Sequence, residues 1–220
     1  MYDAQSSYHA APAEAARTST AALFGQVLFL VAVAIGFAAL GTFIGRDLSR
    51  GVALGCSLGG FGMLMVAAFG GQRFRVGAFA IGWLYALALL IGLGLGPAIA
   101  YVSAVEPAVL TQAAGGTALT VLGMGALGFA LSKDLKSWMR PLSLVVFGLI
   151  AVSLVMLLFA GAGNPIISLA IYGISALLVM VNFNFLRKHG TDDDTVWLAT
   201  GIFVSIVNIF VSLLNLFSGR

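Results

Sequence analysis

Residues 141–186 read PLSLVVFGLIAVSLVMLLFAGAGNPIISLAIYGISALLVMVNFNFL, a run without a single charged side chain. A helix that crosses a bilayer needs about 20 mostly apolar residues, so this run is long enough for two crossings. Near its middle stands Gly161-Ala162-Gly163-Asn164-Pro165. Glycine, asparagine and proline end helices, whereas proline is well tolerated in a first helical turn. The run is therefore predicted to form two membrane-spanning helices joined by a tight, uncharged turn.

The rest of the chain repeats this pattern, with charged residues separating long uncharged runs. Of the 220 residues, 60% are hydrophobic and 9% are charged, and the mean hydropathy is +1.06. Soluble domains carry roughly 25% charged residues, so this composition excludes a soluble enzyme. The predicted fold class is an all-α polytopic membrane protein with a domain at 21–217. Its seven transmembrane helices are predicted near 21–45, 51–71, 76–97, 108–131, 141–161, 165–186 and 195–217.

Lysine and arginine residues indicate which way the predicted bundle faces, because cytoplasmic loops carry an excess of them. One side of the predicted topology holds eight of these residues and the other holds three. The eight are Arg17, Arg73, Arg75, Lys133, Lys136, Arg140, Arg187 and Lys188, and the three are Arg46, Arg50 and Arg220. The N-terminus is accordingly predicted inside and the C-terminus outside. Residues 1–20, rich in alanine and serine, are predicted to be a disordered cytoplasmic tail.

No ionisable residue lies near the centre of a predicted span. Intramembrane proteases and proton-coupled transporters need carboxylates or histidines at that depth, so we expect no catalytic residue, no metal site and no cofactor. Asp192-Asp193-Asp194 suits either a cation or the start of the seventh helix, and the helix dipole favours the second interpretation. No basic patch with interleaved aromatic residues indicates nucleic-acid binding. Membrane lipids are the expected partners, and the oligomeric state is open.

Uncharged polar residues follow one face of the last two spans. In span seven, Gly201, Ser205, Asn208, Ser212 and Asn215 recur at steps of four, three, four and three, which places them on a single helical face. In span six, Ser168, Tyr172, Ser175 and Asn182 follow the same rhythm, with Asn184 to one side. In lipid such faces turn inward. They form either a polar seam between helices or the lining of a hydrated path.

Glycines provide a second pattern. Gly51, Gly55 and Gly59 form small-xxx-small steps in span two, and Gly41 with Gly45 does so in span one. Such spacings let helix backbones approach closely. They predict packing within the bundle or, alternatively, contact with a second copy. The stretch Gly92-Leu93-Gly94-Leu95-Gly96-Pro97 is predicted to kink or end span three, because Pro97 lacks a backbone donor.

Three passages resemble the Bax inhibitor-1 (YccA-like) family of seven-span membrane proteins. They are Gly96-Pro97-Ala98-Ile99-Ala100-Tyr101, then Gly115-Gly116-Thr117-Ala118-Leu119 with the Ser132-Lys133-Asp134 turn, and Asn208-Ile209-Phe210-Val211-Ser212-Leu213-Leu214 in span seven. The likeness covers roughly residues 90 to 217. It implies a non-enzymatic, stress-protective protein. Bacterial members of the YccA-like branch are associated with restraining the membrane-anchored AAA+ protease FtsH. Other members of the family behave as pH-sensitive calcium leak channels.

The chain departs from the leak pattern of that family. The resemblance attributes the leak to two acidic residues, one late in helix six and one in helix seven. Those positions fall on Ser205 and among Asn182, Phe183 and Asn184, so neither has a carboxylate. Serine and asparagine do not titrate near neutral pH and are poor substitutes for the anionic ligands of calcium. We therefore expect a multi-pass protein of the bacterial inner membrane that modulates an FtsH-type protease, with an ion leak through helices six and seven as the alternative.

Overall fold

The structure, a computed structural model, describes residues 19–159 and 164–219. The described chain contains seven long helices and two short 3-10 turns, and it has no strand. The helices are α1 Thr20–Gly45, α2 Arg50–Phe69, α3 Gly77–Val105, α4 Pro107–Ala130, α5 Lys136–Phe159, α6 Pro165–His189 and α7 Thr195–Phe217. Each is long and apolar enough to cross a membrane. The predicted all-α, seven-helix fold is confirmed, whereas residues 1–18 of the predicted tail lie outside the described residues.

The division of the long uncharged run is confirmed. Helix α5 ends at Phe159 and α6 begins at Pro165, while residues 160–163 lie outside the described part of the chain. Asn164 caps α6, because its side-chain oxygen accepts a hydrogen bond from the backbone N–H of Ile166 at 2.9 Å. Pro165 occupies the first helical position, where its missing N–H costs no hydrogen bond. The Asn-Pro pair therefore starts a new helix as the sequence predicts.

Two predicted span ends differ from the helix ends. Helix α3 continues through Pro97 to Val105, so this proline does not end the helix. Helix α5 begins at Lys136, although the predicted span begins only at residue 141. The charges of Lys136 and Arg140 interrupt the uncharged run without interrupting the backbone hydrogen bonding. Span prediction follows charge, whereas a helix continues into the polar region beyond the hydrocarbon core.

Helix α7 lies at the centre of the bundle, where it packs against α1, α3, α4 and α6. Over its most apolar window 56% of the residues are buried, compared with 6% for α5. Helix α5 packs extensively only against α6 among the described helices, and the main partner of α2 is α3. A gap consequently separates α2 from α5, with α7 beneath it.

Helix α3 contacts α1 and α2 through its own glycines. A side chain at Gly92 would overlap the backbone of Ala38, and one at Gly96 would overlap Gly45. At Gly94 it would overlap Ser57 of α2. The glycine stretch of span three therefore allows close helix contact on two sides.

Packing of the predicted glycines within the bundle is confirmed for span one but not for Gly51 and Gly55 of span two. Gly41 and Gly45 both abut the backbone of α3. A methyl group added at Gly51 or Gly55 would meet no atom within 4 Å, and one at Gly59 would meet only the side-chain end of Leu90. Helix α2 instead turns the face with Ala53, Gly60, Leu64 and Ala67 inward, as their burial shows. Contact of Gly51 and Gly55 with a second copy stays a prediction.

Candidate functional site: a polar groove along helix α7

Two cavities lie end to end between α2 and α5, and we call them together the groove. The first, of about 450 Å³, contains Arg50 at one end of the bundle and is called the Arg50 cavity. The second, of about 830 Å³, reaches the opposite end and is called the basic cavity because Arg75, Lys136 and Arg140 line it. Leu64, Val204 and Asn208 line both cavities.

The polar face predicted for span seven lines this groove. Gly201, Ser205 and Asn208 line the basic cavity together with Asn182 of α6. Asn208, Ser212 and Asn215 line the Arg50 cavity. The five residues of α7 therefore follow the groove from one cavity into the other, with Asn208 at the junction. The face therefore lines a groove, and both the polar seam and the hydrated path stay predictions.

The hydrogen bonds of Ser205 and Asn182 on this face stay within their own helices. The Ser205 hydroxyl donates to the carbonyl of Gly201 at 2.8 Å, four residues earlier in its own helix. The Asn182 amide donates to the carbonyl of Leu178 in the same way, also at 2.8 Å. Within the described residues, Nδ2 of Asn208 is buried and has no hydrogen-bond partner. The bonds of Ser205 and Asn182 each stay within one helix, so they do not join α6 to α7.

Asn184, which the sequence groups with this set, has a different role. It is completely buried, and it lines neither cavity. Its Oδ1 accepts a hydrogen bond from the backbone N–H of Leu135 at 3.0 Å. Its Nδ2 lies 3.1–3.2 Å from the carbonyl oxygens of Gly128, Leu131 and Lys133. Asn184 thus fixes the end of α4 and the following loop to α6, where helix-end carbonyls would otherwise be unpaired.

The same loop is held from outside by the end of α6. Arg187 donates to the carbonyl of Leu131 at 2.6 Å, and Lys188 donates to the carbonyl of Ser132. The imidazole of His189 lies 2.6 Å from the carboxylate of Asp134. The pKa of Asp134 lies below its ordinary 3.8, first because its carboxylate accepts a hydrogen bond from the backbone N–H of Lys136. The hydrogen bond and charge of His189 and the charge of Lys188 lower this pKa further.

Charges at the groove ends are predominantly positive. Arg50 lies at one end, where its guanidinium donates to the carbonyl of Leu157 across the gap at 3.3 Å. At the other end the Arg75 guanidinium lies 5.7 Å from the ring of Trp197, and the Lys136 ammonium lies 5.8 Å from the ring of Phe185. Asp194 is the one carboxylate among the described residues that line the two cavities. Four cationic side chains therefore face one anionic side chain.

The three consecutive aspartates form the turn that precedes α7. The carboxylate of Asp194 accepts hydrogen bonds from the Thr191 hydroxyl at 2.6 Å and from the Thr191 backbone N–H at 3.1 Å. This capping box stabilises the 3-10 turn Asp192–Asp194, which leads directly into the helix. The aspartates therefore stabilise the turn before α7, whereas Asp194 at the N-cap position of α7 makes no side-chain capping bond to that helix. No group of three or more metal-ligating side chains occurs among the described residues.

Sequence reasoning misses the cationic lining of the groove. It uses Lys136 and Arg140 only for orientation, because span five is predicted to begin at residue 141. Their spacing of four residues places both on one face of α5 once the helix begins at Lys136. This four-residue spacing is the sequence signal that could have indicated the cationic lining.

Comparison with known protein families finds a match over nearly the whole chain. A family model described as inhibitor of apoptosis-promoting Bax1 matches residues 20–220. The matched range includes all seven helices and therefore both cavities. It also extends beyond residues 90 to 217, the range of the sequence resemblance.

Proposed function

The chain belongs to the Bax inhibitor-1 family, and from this premise we propose that it provides a passage for small anions along the groove. Members of this family are generally not enzymes, which agrees with a function that needs no catalysis. Seven apolar helices and the family match indicate a multi-pass membrane protein. We propose the bacterial inner membrane as its location, with a stress-protective role.

The observation that carries this proposal is the placement of Asn208. Its side chain lines both cavities, and its buried Nδ2 has no partner in the described chain. An unpaired buried N–H donor is costly unless a solute or water accepts its hydrogen bond. We propose that the Asn208 amide turns its buried nitrogen toward the groove, where an anion moving between the cavities accepts its hydrogen bond.

The charges favour anions over cations as the permeant species. Rings or clusters of Arg and Lys select anions in pores, whereas Asp and Glu select cations. The groove has Arg50 at one end and Arg75, Lys136 and Arg140 at the other. Calcium prefers carboxylate and carbonyl oxygens, and Ser205 and Asn182 supply no carboxylate at the positions to which the family leak is attributed. We therefore expect little calcium flux.

Flux through proteoliposomes tests the proposal. Chloride and calcium movement is measured from about pH 5 to pH 8 for the wild type, for Asn208→Leu and for liposomes without protein. We expect chloride flux that Asn208→Leu reduces at least tenfold, together with calcium flux at the background level. Chloride flux at background, or flux that Asn208→Leu leaves unchanged, would reject the passage.

A second candidate function is modulation of a membrane-anchored AAA+ protease of the FtsH type. The observation that favours it is the exposure of α5, where Val145, Val152 and Val155 are about half exposed and line neither cavity. A partner helix needs such an apolar surface. Photo-crosslinkers at Val145 and Val152, with Leu127 of α4 as an equally exposed control, test this candidate. Crosslinks to a protease from α5 alone would support it, and crosslinks to lipid alone from all three positions would exclude it.

A further inference from the structure

The basic cavity has an open side as well as an end. Its walls come from the last turns of α2 and the first turns of α5, and its floor comes from α7 at the bundle centre. Because α2 and α5 have different principal partners, the gap between them faces away from the bundle. In a bilayer that open side meets the acyl chains of lipids.

The walls and the end of the basic cavity differ in chemistry. Along the walls lie apolar side chains such as Leu64 and Phe69 of α2 and Leu144 and Phe147 of α5. At the end lie Arg75, Lys136 and Arg140. The cavity is therefore apolar at the depth of the acyl chains and cationic at the depth of the headgroups.

The three cations have no carboxylate partner among the described residues. The ion pairs found there are Arg46 with Asp47 and His189 with Asp134. Asp194 borders the same cavity, but its carboxylate accepts two hydrogen bonds from Thr191. Lys136 and Arg75 contact aromatic rings from the side of the cavity. A phosphate group would supply the anion that this cluster lacks.

We infer that the basic cavity binds an anionic phospholipid, with its phosphate between Arg75, Lys136 and Arg140 and one acyl chain between α2 and α5. Basic pockets between transmembrane helices are suited to anionic headgroups. The cluster also lies at the end of the bundle predicted to face the cytoplasm, where anionic lipids give the leaflet a negative potential. The inference rests on the cavity alone and does not require that the groove conducts ions.

Native mass spectrometry of the delipidated full-length chain tests this site. The probes are phosphatidylglycerol and phosphatidylcholine with identical acyl chains. We expect the wild type to retain phosphatidylglycerol preferentially. Lys136→Gln with Arg140→Gln should lower phosphatidylglycerol affinity about tenfold and phosphatidylcholine affinity much less, because the choline cation already neutralises the phosphate of phosphatidylcholine.

Two further variants make the test specific. Arg73→Gln with Lys133→Gln removes two charges from the same end of the bundle but outside the cavity, and it should change the affinity less than about twofold. Ala68→Phe keeps all charges and fills the space between the walls, so it should lower retention of both lipids. Equal loss in the two charge variants, full retention by Ala68→Phe, or no preference for phosphatidylglycerol in the wild type would overturn the inference. Lipid binding is read from the retained lipid mass and the passage from chloride flux, so failure of the lipid site and failure of the anion passage are separate results.

Discussion

Asparagine and glycine residues occur in two regions of this bundle, and their hydrogen bonding and packing differ between the two. One region, which we call the closed side, comprises the contact of α4 with α6 and the loop at residues 131–135. There Asn184 is fully paired, and a side chain at Gly128 would overlap the Met180 backbone. The other region is the groove, where the amide nitrogen of Asn208 has no partner in the described chain and the atoms nearest to a side chain at Gly201 belong to Asn182. Residue type alone therefore does not distinguish structural positions from functional ones.

The largest expected effect follows from replacing the asparagine of the closed side. Asn184→Leu removes the amide that pairs with Leu135 and with three carbonyl oxygens. Buried groups left unpaired cost about 1–3 kcal/mol each, and some regain partners by local shifts. We expect the free energy of unfolding, measured by SDS titration in mixed micelles, to fall by about 3 kcal/mol.

Asn208→Leu is the matched control for this prediction. It removes an amide nitrogen that has no partner in the described chain, so the free energy of unfolding should change by less than about 0.5 kcal/mol. A loss of stability at Asn208 equal to that at Asn184 would remove the distinction between the closed side and the groove.

A smaller effect is expected from the glycines. Gly128→Ala places a methyl group against the backbone of Met180, which cannot move without separating α4 from α6. Overpacking of this kind costs about 1–3 kcal/mol, so we expect the free energy of unfolding to fall by about 2 kcal/mol. At Gly201 the added methyl would lie 3.3 Å from the amide oxygen of Asn182, a side-chain end that can shift into the basic cavity. Gly201→Ala should cost less than about 1 kcal/mol, and the opposite order would contradict the comparison.

The smallest effect concerns the ion pair of Asp134 with His189, which lies at the exposed edge of the closed side. The pKa of Asp134 is lower in the folded protein than its ordinary 3.8, through the N–H of Lys136, then His189 and Lys188. Its contribution to stability is fully present above the unfolded pKa and is lost as the pH falls through the lower folded pKa. Unfolding free energies measured between about pH 6 and pH 2 should decrease less steeply for Asp134→Asn than for the wild type. Identical slopes would show that Asp134 does not stabilise the loop.

Much of the fold is predictable from the sequence, because uncharged runs and the Asn164-Pro165 break are local signals. The shared face of Ser205, Asn208 and Ser212 is equally predictable from helical spacing. The roles of Asn184 and Asn208 are not, since they depend on which backbone groups the neighbouring helix and loop bring near. The cluster of Arg75, Lys136 and Arg140 is not predicted, because span prediction excludes charged residues and therefore assigns Lys136 and Arg140 to a loop.

The central claim is that the polar face of α7 lines an accessible groove whose charges favour anions. Ser212 and Ser175 allow a direct test, because both are almost completely buried and only Ser212 lines one of the two cavities. Each is changed to cysteine after Cys56→Ser, and the reaction with methanethiosulfonates of either charge is followed in proteoliposomes. We predict that Ser212→Cys reacts, faster with the negatively charged reagent, and that Ser175→Cys does not. Equal reactivity at the two positions, or an inert Ser212→Cys, would contradict the account.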